Sequence, residues 1–455
     1  MHEVLEELTG LLGPGVVVRD PDVVEGYRRD RCDLVDAGTP LCVVRARSTA
    51  DVATAMRWSH THGVPVVPRG AGTGLSGGAH AIDGGIILSL ERMTAVREID
   101  AQAQVAVVEA GVINADIGCA VAHLGLFYAP DPGSFEISTI GGNLATNAGG
   151  MRCVKYGVTR DAVLGLEVVL ADGRVLHTGG RTVKNVAGLD LTSLFVGSEG
   201  TLGVITAATL RLRRALIVPP VTFVASFSDL QDAGRAVSAI VSSGAVPSLL
   251  ELMDQETVNA VADYRRMDLD RNAAALLIGQ ADGPDAEAQV AMMTACAETA
   301  GADLVIATAD PVESDALLTA RRLAGFATME KGPCIIEDVG VPPHRLVNML
   351  TEVQHVADES GIRIATVGHA GDGNLHPILM LPDLSKATRA RALEAADRIS
   401  RAAIALGGTI TGEHGIGTLK RRWLADQLDP LAAEVSTAVK AALDPGGLLN
   451  PGRGF

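Results

Sequence analysis

The stretch GHAGDGNLH places two histidines on either side of an Asp-Gly step, in a chain of 455 residues with only 11 histidines. If Asp372 and Gly373 form a two-residue hairpin turn, His369 lies directly opposite His376 and Asn374 points to the same face. Directly opposed side chains have Cβ atoms roughly 4.5–5.5 Å apart. Two imidazoles at that separation could bind one metal ion. If this stretch is considered alone, the alternative is a pair of solvated histidines beside a turn.

A second stretch, GGTITGEHGIGTLKRR, places Glu413 and His414 among glycines and just before a predicted helix. Because bulky neighbours are absent, both side chains could approach a shared centre. Two neutral imidazoles and one carboxylate form a three-ligand metal site with open positions. We therefore predict that His369, His376 and Glu413 bind a divalent metal; Zn²⁺ fits best, and Mn²⁺ or Fe²⁺ suits the same ligands.

His414 has no role among these three ligands. A histidine beside a cation and near a helix N-terminus is disfavoured in its charged form, so it would be neutral at pH 7 and able to accept a proton. We expect His414 to be a general base. The alternative is a structural role in which His414 orients Glu413.

The composition limits the other classes of function. The net charge of −16 argues against a nucleic-acid partner, which requires a basic surface. The N-terminus lacks the features of a signal peptide, and no apolar run reaches the roughly 18–20 residues of a membrane span. We expect a soluble, cytoplasmic protein. Its cysteines show no spacing typical of zinc or iron–sulfur sites: Cys32, Cys42, Cys119, Cys153, Cys296 and Cys334.

The elements that must position these residues are predicted from local signals. Ser48 and Asp51 form a capping-box pattern before a helix that Gly63 ends, and VPVVP, GGIILSL and AQVAVVEAG are typical of strands. From about residue 219 the pattern alternates between strands and helices, which indicates an α+β domain. We predict a helical lead-in (1–35), a first domain (36–216), a second domain that carries the substrate and metal sites (217–420), and a C-terminal segment that packs back on the first domain (421–455).

The glycine-rich stretch PRGAGTGLSGG does not fit the two common nucleotide-binding motifs. It has no Gly-Lys-Ser/Thr ending, which excludes a Walker loop, and it leads to a strand rather than to the helix of a Rossmann fingerprint. An ordinary connector is one alternative. A second stretch, PDPGSFEISTIGGNLATNAGG, favours a backbone that passes close to a flat polar ligand.

Four motifs occur in one order along the chain: PRGAGTGLSGG, PDPGSFEISTIGGNLATNAGG, YGVTRDAVLGLEVVLADG and LFVGSEGTLGVIT. In this the chain resembles the FAD-linked D-2-hydroxy-acid dehydrogenases, a family that includes glycolate oxidase catalytic subunits, D-lactate dehydrogenases and D-2-hydroxyglutarate dehydrogenases. The resemblance implies an α+β fold. It comprises a two-subdomain vanillyl-alcohol-oxidase-type FAD-binding domain, an α+β cap domain with an antiparallel sheet, and a C-terminal return to the FAD domain.

The resemblance also implies residues that contact FAD. The FAD is expected to be non-covalent, because the loop from Arg69 to Gly78 has no histidine. The expected contacts are grouped by the part of FAD that they reach. They are Arg69, Gly70, Ala71, Gly72, Thr73, Gly74 and Leu75 for the pyrophosphate; Pro132, Ser134, Thr139, Gly142, Asn143, Thr146 and Gly149 for the flavin and ribityl region; Glu199, Gly200 and Ile205 for the adenosine half; and Asn450, which returns from the C-terminus to contact the cofactor.

The resemblance implies the same metal ligands, His369, His376 and Glu413, and places Asn374 near the substrate. The family also has an arginine that binds the substrate carboxylate, and Arg321 aligns best with it. The alternative is that the adjacent Arg321 and Arg322 are charged residues of the surface. D-2-hydroxyglutarate enzymes have a lysine before D-x-x-x-P, where this chain has Ile336. That difference argues against a dicarboxylate substrate.

The expected reaction is the FAD- and metal-dependent oxidation of a D-2-hydroxy acid, such as D-lactate or glycolate, to the 2-oxo acid. Hydride passes to flavin N5. Unless oxygen takes the electrons, an external acceptor does: an electron-transfer flavoprotein, a quinone or an iron–sulfur partner subunit. A homodimer is a further candidate assembly. The alternatives are a flavin-dependent transferase similar to alkylglycerone-phosphate synthases, whose consecutive histidines this chain lacks, and a non-catalytic metal- or nucleotide-binding protein.

Overall fold

The computed structural model describes residues 2–454. The helices of this part of the chain are numbered in order. They are α1 (His2–Leu12), α2 (Pro21–Tyr27), α3 (Thr49–His62), α4 (Asn114–Ala122), α5 (Ile140–Thr146), α6 (Cys153–Tyr156), α7 (Leu191–Phe195), α8 (Leu230–Ser242), α9 (Gln255–Arg265), α10 (Ala286–Thr299), α11 (Pro311–Met329), α12 (Leu346–Ser360), α13 (Lys386–Ala405), α14 (Arg421–Gln427) and α15 (Pro430–Leu443).

The strands are numbered in the same way. They are β1 (Val17–Val18), β2 (Cys42–Arg45), β3 (Val66–Arg69), β4 (Ile86–Ser89), β5 (Val96–Asp100), β6 (Val105–Glu109), β7 (Leu126–Phe127), β8 (Val163–Val169), β9 (Val175–Gly179), β10 (Val204–Arg211), β11 (Arg213–Arg214), β12 (Val221–Phe227), β13 (Leu249–Asp254), β14 (Ala275–Ala281), β15 (Leu304–Thr308), β16 (Cys334–Ile336), β17 (Val339–Gly340), β18 (Arg363–His369) and β19 (Asn374–Met380).

The chain divides into two compact units. The first unit comprises residues 2–149, 157–215 and 413–454, and the second comprises Gly150–Tyr156 and Leu216–Gly412. The contacts thus place residues 413–420 with the first unit, whereas the sequence-based boundary lay at 420. The short segment Gly150–Tyr156 belongs to the second unit because Lys155 and Tyr156 both bind the carboxylate of Asp282.

The first unit is built on two main sheets. One has the strand order β1-β2-β4-β3, in which β2, β4 and β3 are parallel. The other is antiparallel with the order β5-β6-β10-β8-β9. Helix α3 forms as its capping signals predict, because the Ser48 side chain accepts the Asp51 N–H at its start and Gly63 adopts a left-handed conformation at its end. Helices α1 and α3 pack on the first sheet through buried apolar side chains.

The C-terminal segment returns to the first unit, as the sequence predicted. The Asn450 N–H donates to the Val66 carbonyl oxygen, and Leu449 forms a parallel bridge with Val66 at the start of β3. Leu449 is fully buried in the core of that sheet.

The second unit is one antiparallel sheet with the order β15-β12-β14-β13-β18-β19-β16, and β17 also pairs with β19. Strands β13 and β14 are buried along their whole length, and β18 is buried after its exposed first residue, Arg363. The ionisable side chains buried in these strands are Glu251 and Asp254 in β13 and His369 in β18. Glu251 and His369 lie opposite each other in the register.

Within residues 2–454, no helix has the length and apolar character needed to cross a membrane.

Candidate functional site

The glycine loop of the first unit contacts the second glycine-rich stretch. A Cβ atom on Gly70 would overlap the Thr139 hydroxyl, and one on Gly72, which has φ +71°, would overlap the Arg69 guanidinium. A side chain at position 70 would displace Thr139, and the left-handed backbone at position 72 favours glycine. Thr139 is the N-cap of α5 and accepts the Gly142 N–H at 3.3 Å. The structure thus brings together the two segments that were expected to hold the pyrophosphate and the flavin.

Arg69 is buried, with 7% of the side chain exposed, and its guanidinium lies 5.8 Å from the centre of the Tyr27 ring. Burial lowers the pKa of Arg69 from its ordinary value, because the charged form loses contact with water. Its Nη1 atom is buried without a hydrogen-bond partner among the described residues. A buried guanidinium in this state is suited to bind an anion.

Other polar atoms of the first unit are buried in the same way. They share two properties: each lies in or next to a segment assigned to FAD, and none has a protein hydrogen-bond partner within residues 2–454. They are Ser138 Oγ, Asn143 Nδ2, Ser198 Oγ and Asn450 Oδ1. Buried polar groups are normally hydrogen-bonded, so donors and acceptors in this arrangement fit a ligand with phosphate, hydroxyl and carbonyl groups. These residues are compatible with FAD.

Glu199 and Asn450 connect the remaining predicted FAD segments. The Asn450 side-chain amide donates to the Gly78 carbonyl at 3.0 Å and to the Glu199 carbonyl at 2.7 Å. Gly200 packs against Pro68 of β3, where an added Cβ would lie 3.0 Å from the proline Cγ. Ile205 is buried in β10. The Glu199 carboxylate, however, accepts hydrogen bonds from the backbone N–H groups of Ile416 and Gly417.

The histidine hairpin of the second unit has a different register from the predicted one. Residue His369 pairs with Asn374, and His376 pairs with Val367, so the predicted direct pairing of His369 with His376 is wrong. The turn has four residues, Ala370 to Gly373, rather than two. The reason is that the Gly371 N–H donates to the Leu250 carbonyl in β13 and is not available to pair with Asn374.

The shared face nevertheless survives this change. The register moves by an even number of residues, and side chains alternate with a period of two, so His369, Asn374 and His376 still point to one side. The two imidazole rings lie diagonally, with centroids 5.3 Å apart and an interplanar angle of 86°. A ring nitrogen of His369 lies within 4.8 Å of one of His376. Both histidines are 6% exposed.

Glu251 is a site residue that the sequence reasoning missed. Both of its carboxylate oxygens lie 3.0 Å from His369 Nδ1, so the ring donates its Nδ1–H to Glu251. In that tautomer the lone pair of the neutral ring is on Nε2, which is the atom through which His369 would bind a metal. The signal was present in the sequence, because a glutamate inside the apolar strand LLELMD is rarely buried unless it is paired.

Arg321 lies in α11 and is 7% exposed, which excludes the surface-charge alternative. Its Nε atom forms an ion pair with Glu251 Oε2 at 2.6 Å. Its Nη2 atom lies 3.5 Å from His369 Nδ1. The guanidinium is therefore anchored beside both Glu251 and His369.

Asp338 was also missed by the sequence reasoning, and it takes a similar position beside the other histidine. Its Oδ1 atom lies 3.6 Å from His376 Nδ1 and accepts a hydrogen bond from Asn374 Nδ2 at 2.8 Å. Its Oδ2 atom accepts the Thr411 hydroxyl at 2.7 Å. The Asn374 amide oxygen is buried and has no partner among the described residues. A Cβ on Gly412 would overlap the Asn374 amide, which explains the glycine at that position.

Buried carboxylates accompany the histidine pair. Glu251 and Asp338 are 1% and 0% exposed, and Glu337, the neighbour of Asp338, is also fully buried. Buried carboxylates of this kind are normally bound to hydrogen-bond donors or to cations.

Glu413 and His414 begin the last segment of the first unit. Their side chains are 13% and 12% exposed, and His414 Nε2 lies 3.9 Å from Glu413 Oε1. The His414 backbone is held by neighbours in the first unit, because Ser76 Oγ lies 3.5 Å from its carbonyl oxygen.

Comparison with known proteins identifies the class of the chain. Residues 220–453 match the family model of the C-terminal domain of FAD-linked oxidases, and residues 40–179 match that of an FAD-binding domain. The chain belongs to the FAD-linked oxidase family and is a flavin-dependent oxidoreductase.

Relatives narrow this class and confirm the resemblance seen in the sequence. The chain is 42% identical over 423 residues to the glycolate oxidase subunit GlcD of Bacillus subtilis, covering 91% of this chain and 89% of that protein. It is 36% identical over 421 residues to a D-lactate dehydrogenase of Archaeoglobus fulgidus, covering 90% of each. The fold is also that of p-cresol methylhydroxylase, with a TM-score of 0.83 at 18% identity over 99% of this chain and 96% of that one. The fold is thus of the vanillyl-alcohol-oxidase type, as expected.

Proposed function

We propose that the protein oxidises a D-2-hydroxy acid, such as D-lactate or glycolate, to the 2-oxo acid, with FAD and a divalent metal as cofactors. The observation that carries the proposal is the buried pair His369 and His376, each with a carboxylate at its Nδ1 side. The names of the relatives, a glycolate oxidase subunit and a D-lactate dehydrogenase, support the substrate class.

FAD would be held without a covalent bond by the first unit. Arg69 would bind the pyrophosphate through its buried Nη1 atom, and Asn143 and Asn450 would use the side-chain atoms that have no protein partner. Gly70 and Gly72 leave room for the backbone to approach the phosphates, because any side chain there would overlap its neighbours. The other residues that the resemblance implies as FAD contacts would also contact the cofactor, apart from the Glu199 carboxylate, which binds backbone N–H groups.

The metal would be bound by the Nε2 atoms of His369 and His376 and by Glu413. Glu251 fixes the tautomer of His369, since it takes the Nδ1–H, and Asp338 lies at the corresponding position beside His376. Nitrogen and carboxylate ligands of this kind favour Zn²⁺, with Mn²⁺ or Fe²⁺ as alternatives.

The remaining residues would bind and deprotonate the substrate. The buried guanidinium of Arg321 would bind the substrate carboxylate, and Asn374, whose amide oxygen has no partner among the described residues, would lie near the substrate. His414 would take the hydroxyl proton as general base. When bound, FAD supplies the two-electron acceptor, and the metal supplies positive charge that lowers the pKa of the hydroxyl group.

The electrons would leave the protein through an external acceptor. The six cysteines have no cluster-binding spacing, so this chain alone would not carry the electrons through an iron–sulfur centre. The Bacillus subtilis relative is named as a subunit, which supports a partner subunit as the acceptor. An electron-transfer flavoprotein and a quinone are the other candidates. We further propose a cytoplasmic location and a homodimer as a candidate assembly.

The test is anaerobic flavin reduction. The purified holoenzyme is mixed with D-lactate, L-lactate, glycolate or D-2-hydroxyglutarate without oxygen, and the flavin absorbance is followed. We expect bleaching by glycolate or D-lactate, little by L-lactate, and less by the dicarboxylate, because no lysine stands at Ile336. The proposal is overturned if none of these acids bleaches a fully FAD-loaded enzyme that dithionite still reduces.

A further inference from the structure

The Glu199 carboxylate binds the backbone just after His414. Oε1 accepts the Ile416 N–H at 2.8 Å, and Oε2 accepts the Gly417 N–H at 2.7 Å. Burial raises the pKa of this carboxyl from its ordinary value, and the hydrogen bonds from the Ile416 and Gly417 N–H groups oppose that effect because they favour the charged form. One side chain thus holds two consecutive peptide groups, which begin two residues after His414.

The glycines of EHGIG are explained by this contact. Gly415 has φ +80°, and a Cβ there would lie 3.0 Å from Glu199 Cδ. Gly417 has φ +52°, and a Cβ there would overlap the Ser76 carbonyl oxygen. A side chain at either position would push the backbone away from Glu199 or from Ser76. These two glycines permit the close approach of the backbone to its anchors.

Glu199 is itself fixed at both its main-chain groups. Its N–H donates to the Ala145 carbonyl at 2.8 Å, and its carbonyl accepts the Asn450 amide at 2.7 Å. Its φ of +52° is uncommon for a residue with a side chain, and such a conformation persists only where the surroundings hold it. The carboxylate therefore projects from a rigid point of the first unit.

A second anchor holds the other end of the same segment. The N–H groups of Thr418 and Leu419 both donate to the Ser76 carbonyl, at 2.9 and 3.1 Å, and the Thr418 hydroxyl donates to the Gly77 carbonyl at 3.2 Å. Ser76 and Gly77 belong to the glycine loop predicted to bind the FAD pyrophosphate. The segment that carries His414 is thus bound on one side to the glycine loop and on the other to Glu199.

We propose that Glu199 is a positioning residue that fixes His414, through the backbone of residues 415–417, at the place where it removes the substrate proton. This inference rests on the proposed function of His414 as the base. It also gives the Glu199 carboxylate a role different from the expected contact with the adenosine half of FAD, because both of its oxygens bind peptide N–H groups.

The variant Glu199→Gln tests the proposal. The glutamine amide keeps one acceptor oxygen, but its NH₂ group would face the second peptide N–H, so one of the two bonds is lost and a repulsive donor pair replaces it. A displacement of the base by about 1 Å can reduce a rate by about 100-fold. We expect flavin reduction at saturating substrate to fall by about that factor, with the half-saturating substrate concentration changed by less than about 3-fold.

FAD content and the FAD dissociation constant should stay near the wild-type values. Glu167→Gln is the matched control: its carboxylate also binds several donors of the first unit, Thr49, Thr206 and Arg97, but none of residues 414–419. That variant should reduce its flavin at the wild-type rate. If Glu199→Gln loses FAD but keeps the full reduction rate when saturated with FAD, Glu199 is a cofactor contact and the proposal is overturned; an unchanged reduction rate with FAD retained overturns it as well.

Amide hydrogen exchange separates this proposal from the proposed function. The N–H groups of Ile416 and Gly417 should exchange faster in Glu199→Gln than in the wild type, whatever the substrate is. If no hydroxy acid reduces the wild-type flavin, the proposed function fails, whereas faster exchange still supports the anchoring of the His414 segment. Unchanged exchange at these two residues overturns that anchoring.

Discussion

Glu251 lies directly opposite His369 across the β13–β18 pair, and both of its carboxylate oxygens are 3.0 Å from the Nδ1 atom of that histidine. The same carboxylate forms the ion pair with Arg321 at 2.6 Å. One buried side chain thus orients a proposed metal ligand and holds the proposed binding group for the substrate carboxylate. Its removal should affect both functions.

The variant Glu251→Gln should bind the metal about 10- to 100-fold more weakly, because His369 loses the partner that fixes its tautomer and orientation. The metal dissociation constant can be measured by titration of the chelated protein. Asp254→Asn is the control, since Asp254 is a buried carboxylate in the same strand that binds the N–H groups of Thr257 and Thr366. Equal metal affinity in Glu251→Gln and the wild type would contradict this role.

Removal of the metal by a chelator should abolish reduction of the flavin by a hydroxy acid while FAD stays bound, since different groups of residues are proposed to hold the two cofactors. Addition of Zn²⁺, or of Mn²⁺ or Fe²⁺, should restore the activity. Metal analysis and anaerobic absorbance give the two readings. A protein with less than a few per cent of its metal that still reacts at the full rate would show that the metal is not needed.

His414→Ala should reduce the rate of flavin reduction by about 10²- to 10⁴-fold, the usual contribution of a general base. FAD and metal contents should not change if His414 is neither a ligand nor a cofactor contact. His344→Ala, at an exposed position in the 3₁₀ turn Pro343–Arg345, is the control. Loss of metal from His414→Ala would instead favour the alternative in which His414 orients Glu413.

Gly371→Ala should destabilise the second unit by about 1–3 kcal/mol through overpacking. A Cβ there would lie 2.9 Å from Val154 Cγ2 and 3.1 Å from Leu250 Cβ, so the turn of the histidine hairpin packs tightly on α6 and β13. The double variant with Val154→Ala should recover part of the loss, which unfolding midpoints can detect. Gly325→Ala in α11, where the Cβ meets nothing within 4 Å, should cost nothing.

Much of the fold could be predicted because its signals are local. The caps of α3 at Ser48 and Gly63 and the strands β3, β4 and β6 follow from neighbouring residues. The shared face of His369, Asn374 and His376 was also predictable, since it depends only on the period of two along a strand. The register was not, because the bond from Gly371 to Leu250 comes from a strand more than a hundred residues earlier.

Two site residues were not predicted from the sequence for the same reason. Glu251 and Asp338 reach the histidines only through the pairing of strands that are distant in sequence. A single carboxylate in an apolar strand does not indicate which residue it binds. The family resemblance implied that Glu199 contacts the adenosine half of FAD. Its hydrogen bonds to Ile416 and Gly417 join residues that lie more than 200 positions apart, which no local pattern encodes.

Asp254 makes the stability of the second unit depend on pH, and the direction of that dependence follows from its pKa. Burial raises the pKa of this carboxyl to about 6, although the N–H groups of Thr257 and Thr366 partly oppose the effect. The folded protein then holds the proton up to about pH 6, whereas the unfolded chain loses it near pH 4. The contribution to stability is therefore fully present below about pH 4 and is lost as the pH rises to about 6.

Between pH 5 and 7.5 the free energy of unfolding of the wild type should fall by about 1.4 kcal/mol more than that of Asp254→Asn, because one pKa unit corresponds to about 1.4 kcal/mol. The variant has its own constant cost, the loss of one acceptor for a buried N–H, and that cost cancels when the two pH values are compared. Urea unfolding of both proteins at the two pH values measures the difference. A gap between variant and wild type that is the same at pH 5 and 7.5 would show that the pKa of Asp254 is not raised in the folded protein.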